Sequence, residues 1–415
     1  MKIPGPLEPL VEAGAIDAVV RVPRPRDVRA EMLPVELLGT ACGSGIGHRA
    51  GPARGSPIGV RSDMTLDQVR SRLRESGASP CHERQVLRAW TRALPLDSGS
   101  RPAEGFLPRR LRDALPSLTA ELRGLARLRS CHPGADGSTR LLVELADGQS
   151  VEGVLLPREV LCVSTQAGCA VGCVFCATGR EGLRRQLGSA EIVAQVALAR
   201  SLRAVGKVVF MGMGEPAHNL DNVLEAIELL GTEGGIAHKS LVFSTVGDLR
   251  VFDRLPRGRV RPALAISLHT TVAAKRAELL PRAPRIDPAE LVELGERYAR
   301  ATHYPIQYQW TLLEGVNDGD DEVDGIARLL AGKYAVMNLI HYNAVEGLAF
   351  RRIAPGRAAA MARALHERGI LTKLRDSAGQ DVEGGCGQLR ARATTSERGS
   401  SVAGTRRPSP TGASS

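Results

Sequence analysis

Aromatic residues are scarce, at 3% of the 415-residue chain. That argues against a broad base-stacking platform of the RRM type. Cysteine is sparse too: eight in a chain this long cannot build a disulfide scaffold, and in a reducing compartment clustered thiols point to metal or catalysis. No run offers about 18 uninterrupted apolar residues, so no membrane span is expected. The first residues lack a basic-then-apolar leader, and a cytoplasmic protein is expected. What is present is a 43% hydrophobic, 24% charged composition, enough for a sizeable core. The formal net charge is +10, which favours a polyanionic partner such as RNA or DNA. Part of that excess sits after Leu389, where five arginines stand against Glu397.

Residues 1–63 are punctuated by Pro, Gly and Arg with little periodicity, and are expected to be disordered or a misassigned start before Met64. Residues 64–130 read as a small helical accessory domain. Its core candidates are Val69, Leu73, Val86, Leu87 and Trp90, then Leu107, Leu111, Leu115, Leu118 and Leu122 in a helix over 107–128. Residues 139–156 read as a hairpin about Asp147-Gly148. From about 160, strand candidates (160–164, 207–211, 240–244, 263–268, 305–312, 336–341, 370–374) alternate with helices (189–203, 221–230, 271–280, 287–301, 321–332, 356–368). Asp287, Pro288 and Glu290 form a clear helix start. Such alternation means an α/β fold with a parallel sheet, and too few units for a closed eight-fold barrel. A partial (βα)6 TIM-like barrel is therefore expected over 131–390, with a helical domain before it, a β-hairpin extension, and a disordered basic tail over 391–415.

The most informative segment is Gly168-Cys169-Ala170-Val171-Gly172-Cys173-Val174-Phe175-Cys176. Three thiolates in a Cys-x3-Cys-x2-Cys loop after a strand can hold three irons of a 4Fe–4S cluster and leave the fourth iron open. A structural zinc wants four donors, commonly as two spaced pairs, and no second pair lies nearby. Downstream, Met211-Gly212-Met213-Gly214-Glu215-Pro216 offers backbone and one carboxylate at a strand end. Cys81-His82 and Cys131-His132 are adjacent pairs that chelate poorly, and these cysteines, like Cys42, read as incidental. Arg184-Arg185 and Arg351-Arg352 are candidate phosphate contacts.

The cysteine spacing resembles that of the radical-SAM superfamily, whose fold is the partial barrel already expected. Further elements narrow the resemblance: Leu161 to Cys169, Met211 to Pro216, Phe243-Ser244-Thr245, Ala265 to His269, Asn317-Asp318, Asn338 to Ile340 with Asn343, and Gly385 to Leu389. Together, over about residues 140–390, they resemble the radical-SAM adenine methyltransferases of RNA, the RlmN/Cfr family. Residues 64–130 resemble that family's RNA-binding helical domain loosely, through Gln85 and Trp90.

The resemblance implies transfer of a methyl to carbon 2 of an adenine in 23S rRNA, with tRNA as a second substrate. Two molecules of S-adenosylmethionine (SAM) serve each turnover, because the ring carbon is too electron-poor to attack a SAM methyl. Cys386 matches the thiol that accepts the methyl. Cys162 matches the thiol that resolves the protein–RNA crosslink as a disulfide. Glu152 matches the proton-accepting glutamate. Cys169, Cys173 and Cys176 would hold the cluster, while Gly214, Glu215, Ser244, Ser267, Leu268, His269 and Asn343 would bind SAM. A reducing electron donor is implied, and a monomer is expected. Val246, Ala344 and the loop through Arg351-Arg352 depart from the family pattern at the site mouth, where the RNA target is set. Carbon 8 of adenine, another RNA target, or a non-catalytic zinc-containing RNA-binding protein are the alternatives.

If the three thiols hold a cluster, Cys173→Ala should lose it. Anaerobically reconstituted variant should show iron and sulfide far below wild type and no deoxyadenosine formation; full iron retention would reject the assignment.

Overall fold

The structure, a computed structural model, describes residues 63–391. The expectations for residues 1–62, for 392–415 and for Cys42 lie outside the described residues. Four helices open the described chain: α1 (Leu66–Glu75), α2 (Pro80–Thr91), the single turn α3 (Ala103–Phe106) and α4 (Arg109–Gly124). Thr65 starts α1 with a capping box, its hydroxyl accepting from Gln68 N while the Gln68 side chain accepts from Thr65 N. Val69, Leu73, Val86, Leu87, Trp90, Leu111, Leu115, Leu118 and Leu122 are all buried, as their periodicity requires.

Three antiparallel strands follow: β1 (Ala126–Pro133), β2 (Thr139–Leu145) and β3 (Ser150–Leu156). The expected helix over 107–128 is corrected here, because it stops at Gly124 and Ala126 already belongs to β1. The alternation Leu128, Ser130, His132 pairs against β2 through a bulge between Leu128 and Ser130. The expected hairpin is thus the inner part of a three-stranded extension.

The antiparallel strand β3 then pairs with β4 (Val160–Cys162), the first strand of the parallel run. That run continues through β7 (Lys207–Phe210), β8 (Leu241–Thr245), β9 (Ala263–Ser267), β10 (Ile306–Leu312), β11 (Ala335–His341) and β12 (Thr372–Arg375). Between β4 and β7 a small two-stranded sheet forms from β5 (Gln166–Gly168) and β6 (Leu183–Gln186), enclosing the helical turn α5 (Ala177–Arg180). The crossovers are α6 (Ser189–Leu202), α7 (Leu220–Gly231), α8 (Leu249–Arg254), α9 (Ala273–Leu279), α10 (Pro288–Thr302), α11 (Asp320–Leu330) and α12 (Pro355–Glu367). The seven strands expected from 160 onward are present within about two residues. Among the described residues β1 and β12 do not pair, so the sheet is an open, partial barrel.

Alternation on β10 separates the two sides of the sheet. Tyr308 faces the helices, its hydroxyl donating to Val292 O of α10, and Trp310 Nε1 donates to Asn317 O. Gln309 lies on the opposite face, in register with Ser267 and Asn338. Asp287 caps α10 as expected, accepting from Ala289 N at 2.8 Å. The N-terminal helices share one hydrophobic core with the barrel, which runs from Met64 to Leu389.

Their docking depends on a close backbone approach. Met64 O accepts from Ala190 N at 3.1 Å, and Leu66 N donates to Ser189 Oγ at 2.8 Å. A Cβ on Gly188 would stand 2.1 Å from Met64 O and 2.4 Å from Asp63 O. Gly188→Ala should therefore cost about 1–3 kcal/mol, as overpacking does. A lower midpoint in urea denaturation checks this; an unchanged midpoint would show that the helices dock without this contact.

Candidate active site

The three-cysteine loop joins β5 to α5 at the mouth of the barrel. Gly168 has φ +85°, and a Cβ there would meet Gly182 O at 2.0 Å, so only glycine lets the loop start. Cys169 N donates to Gly182 O at 2.9 Å, and Cys176 N to Cys173 O at 3.1 Å. The far side is clasped by the segment that ends α9. Val174 N donates to Leu279 O, Arg282 N to Val171 O, and Arg282 Nη1 to Ala170 O at 2.8 Å. Cys169 is buried, and Cys173 and Cys176 are half-buried; all three are free thiols. Burial pushes the Cys169 thiol up to about 12. Cys173 is held well above its ordinary value by burial and then by the Cys176 and Cys169 thiols, and burial also raises Cys176. Among the described residues, no three His, Cys, Asp or Glu side chains converge as donors to one metal ion. Three thiols that each address a different iron need no such convergence. Sulfur donors that are buried, mutually close and protonated when empty fit an iron–sulfur cluster, whose binding displaces the protons.

Gly214 (φ +106°) turns the chain after β7 so closely that a Cβ would stand 2.7 Å from Gln166 Cβ. Glu215 follows, buried, with its N–H donating to Gln166 Oε1 at 2.7 Å. Its carboxylate accepts from Ala217 N at 3.1 Å and Val246 N at 3.0 Å. Burial raises Glu215 to about 7, although a hydrogen bond from Thr245 opposes it. Its charge also reaches Cys169 and Cys173. Ser244 and Ser267 are half-buried on β8 and β9, and Leu268 is buried after β9. His269 has φ +62° and its ring meets Phe175 of the cysteine loop edge-on, 4.9 Å between centroids. Thr311 N donates to His269 Nδ1 at 3.0 Å, which leaves the ring proton on Nε2. Burial, aided by the nearby Arg276 charge, lowers His269 to about 3.

The C-terminal glycine loop closes over the cysteine loop. Ala177 N donates to Gly387 O at 2.7 Å, and Thr178 Oγ1 to Leu389 O. Asn343 Nδ2 donates to Cys386 O and Ser377 Oγ, both at 2.9 Å, while Asn343 Oδ1 has no protein partner. Cys386 is solvent-accessible, yet enough protein surrounds it that burial raises its thiol, opposed by a Ser377 hydrogen bond and the Arg375 charge. Cys162 is buried on β4, and its thiol is pushed far up by burial and then by Cys386. Cys176 feels Cys386 as well. Both Cys162 and Cys386 are free thiols in this structure. Glu152, on the same face of β3 as Val154, the partner of Cys162, is fully buried. It pairs with buried Arg140, and its other oxygen accepts from Arg390 N at 2.8 Å. Burial raises its carboxyl, and Arg140 opposes that shift.

Sequence reading missed Arg140 and Arg276, because a lone arginine carries no sign of burial. It also misjudged Arg185. That side chain binds Asp147 at 2.6 Å and Glu191 through both Nη atoms, so it is committed to carboxylates rather than phosphate. Arg351 and Arg352 are exposed at the mouth and pair with Glu314 and Asp376.

These features define a radical-SAM enzyme, and comparison with known proteins agrees. Residues 163–330 match the model of the radical SAM superfamily. A protein of Aromatoleum aromaticum named "Probable RNA methyltransferase" is 74% identical over 333 residues, covering 80% of this chain and 94% of its own length. One of the same name from Leptothrix cholodnii is 71% identical over 329 residues, covering 79% and 95%. The crystal structure of a radical SAM methyltransferase from Sphaerobacter thermophilus superposes with a TM-score of 0.70 at 34% identity, covering 80% of this chain and 98% of its own. The chain belongs to this family of radical SAM methyltransferases. Among the described residues, no helix is long and apolar enough to cross a membrane.

A histidine kept neutral by folding makes stability acid-sensitive. Because the folded value lies below the ordinary 6.5, His269 contributes fully above pH 6.5, and the contribution is lost as pH falls toward 3. Cluster-free wild type should lose more stability between pH 7 and pH 5 than His269→Gln, read from urea midpoints. Equal losses would show that His269 titrates normally.

Proposed function

We propose that this protein is an RNA methyltransferase that adds a methyl group to carbon 2 of an adenine in 23S rRNA, with tRNA as a second substrate. The observation that carries the reading is the meeting of Cys386, Cys162 and the cluster loop at one end of the barrel, with Cys386 near enough to raise both Cys162 and Cys176. The relatives' shared name and the +10 charge support an RNA substrate.

Cys169, Cys173 and Cys176 would hold a 4Fe–4S cluster, which with SAM would supply hydrogen-abstracting radical chemistry. Gly214, Glu215, Ser244, Ser267, Leu268, His269 and Asn343 orient SAM. Glu215 faces its ammonium, and that charge lowers the raised carboxyl again. Cys386 is the reachable thiol and takes a methyl from one SAM by displacement at carbon. Arg375 and Ser377 favour its thiolate. With a second SAM bound, the cluster would supply the hydrogen-abstracting chemistry that lets the Cys386 S-methyl carbon bond to the adenine ring, and would take back the one electron left over. Glu152 takes the ring proton. Both of its oxygens are hydrogen-bonded, so the Arg390 N–H must let one go. Cys162, deprotonated, attacks the Cys386 sulfur. The S–S bond forms as the S–C bond breaks, its electron pair leaves with the base-bound carbon, and that carbon takes up a proton to become the methyl group. A reductant restores both thiols. The exposed Arg351 and Arg352 at the mouth contact the RNA backbone, as does the N-terminal helical segment.

Nucleoside mass spectrometry of 23S rRNA and tRNA, from cells with and without the gene, tests the product. 2-Methyladenosine lost with the gene supports the reading; 8-methyladenosine or no change overturns it. Stoichiometric zinc without iron in anaerobically purified protein would overturn the enzymatic reading. Separately, Cys386→Ala should hold the cluster and never methylate RNA. Cys162→Ala should stall as a covalent RNA adduct, visible as a nuclease-sensitive shift on a denaturing gel. Wild-type turnover by Cys162→Ala without adduct would remove Cys162 from the mechanism.

A further inference from the structure

Arg276 is a buried cation whose counter-ion the protein does not supply. It lies on α9, 3% exposed, in the segment that clasps the cysteine loop through Leu279 and Arg282. Its guanidinium donates only to main-chain carbonyls: to Val246 O, and to Ser267 O at 3.2 Å, at the ends of β8 and β9. Its Nε has no partner. Among the described residues no carboxylate stands within ion-pair distance of it. The charges it feels in the protein are Cys173 first and then Glu215, and its own pKa is lowered to about 10 by burial. The other fully buried arginine among the described residues is matched: Arg140 has Glu152. An unmatched buried charge is costly, and this one lies in the segment that clasps the cysteine loop, within electrostatic reach of Cys173.

We propose that Arg276 is the electrostatic partner of the anionic, thiolate-bound iron–sulfur cluster, a positioning residue that raises the cluster's reduction potential. This rests on the assignment of Cys169, Cys173 and Cys176 as its ligands. Each electron added makes the cluster more negative, and a fixed positive charge in a low-dielectric wall stabilises the reduced form more than the oxidised one. The Val246 and Ser267 carbonyls fix the guanidinium so that it need not reorganise when the electron arrives.

The test uses full-length protein reconstituted anaerobically with iron and sulfide, without SAM, and an EPR-monitored redox titration. Wild type that binds no iron would reject the ligand assignment itself. Given a loaded wild type, Arg276→Met should shift the midpoint to more negative potential, and Arg276→Lys, which keeps the charge, should stay near wild type. An unshifted midpoint in Arg276→Met overturns the proposal. If SAM affinity, measured by equilibrium dialysis, then falls instead, the counter-ion is the SAM carboxylate. A shift in Arg276→Lys as large as in Arg276→Met also overturns it, because charge would not be the cause. The cluster-free Arg276→Met protein should melt no lower than wild type, since loss of the unmatched charge offsets loss of its bonds to Val246 O and Ser267 O. A clearly lower melting temperature would mean a structural role, and would overturn the proposal as well.

Discussion

The site depends on one folding-back of the chain: the segment from Gly384 to Arg390 lies across the loop that carries the three cysteines. Hydrogen bonds hold it there, among them Ala177 N to Gly387 O, Thr178 Oγ1 to Leu389 O, Asn343 Nδ2 to Cys386 O, and Arg390 N to Glu152. They connect positions about 40 to 240 residues apart in sequence. Two come from α5, one from the Asn343 loop and one reaches β3, so the segment is positioned by the end of the cysteine loop, the barrel mouth and β3 together. Glycine makes this approach feasible. A Cβ on Gly385 would stand 2.8 Å from Asn343 Nδ2, and Gly387 needs φ +84°.

The antiparallel extension serves the same end. By pairing with β4, β3 brings Glu152 to the face where Cys162 stands, and Arg140 from β2 accompanies it. The ion pair is fully buried, so it is not a source of stability to be assumed. Removing either member alone would leave an uncompensated charge beneath the C-terminal segment. The extension therefore couples the edge of the sheet to the closing of the site.

Much of this was legible in the residues. Alternation of apolar runs placed the parallel strands from 160 onward, because strands buried on both faces and amphipathic crossovers differ in period. The cysteine spacing pointed to the loop proposed to hold the cluster, and Asp287-Pro288 marked a helix start without ambiguity. Other parts were hidden for physical reasons. β1 follows α4 after the single residue Leu125, and Leu128 extends the helical leucine rhythm, so local pattern could not show where the helix ends. β5 and β6 are short and carry Arg184 and Arg185, which read as surface. Arg276 and Arg185 have opposite electrical situations, one unmatched and one doubly matched, yet each is only an arginine in a polar stretch. That difference is made by residues far away in sequence.

The two extra thiols differ in one respect that has a chemical consequence. Cys162 is sealed between strands with its proton held tightly, whereas Cys386 is accessible in a glycine loop. A sulfonium electrophile as bulky as SAM can reach one and not the other. Folding thus does what a protecting group does in synthesis: it masks one of two identical functional groups and leaves the other, the proposed methyl acceptor, accessible. In the proposed mechanism the mask need lift only when the Cys386 sulfur itself becomes the electrophile, and that sulfur is within electrostatic reach of Cys162. Selectivity between chemically equal cysteines is then a property of the strand pairing at Val154 and Cys162, with no specialised base required to choose between them.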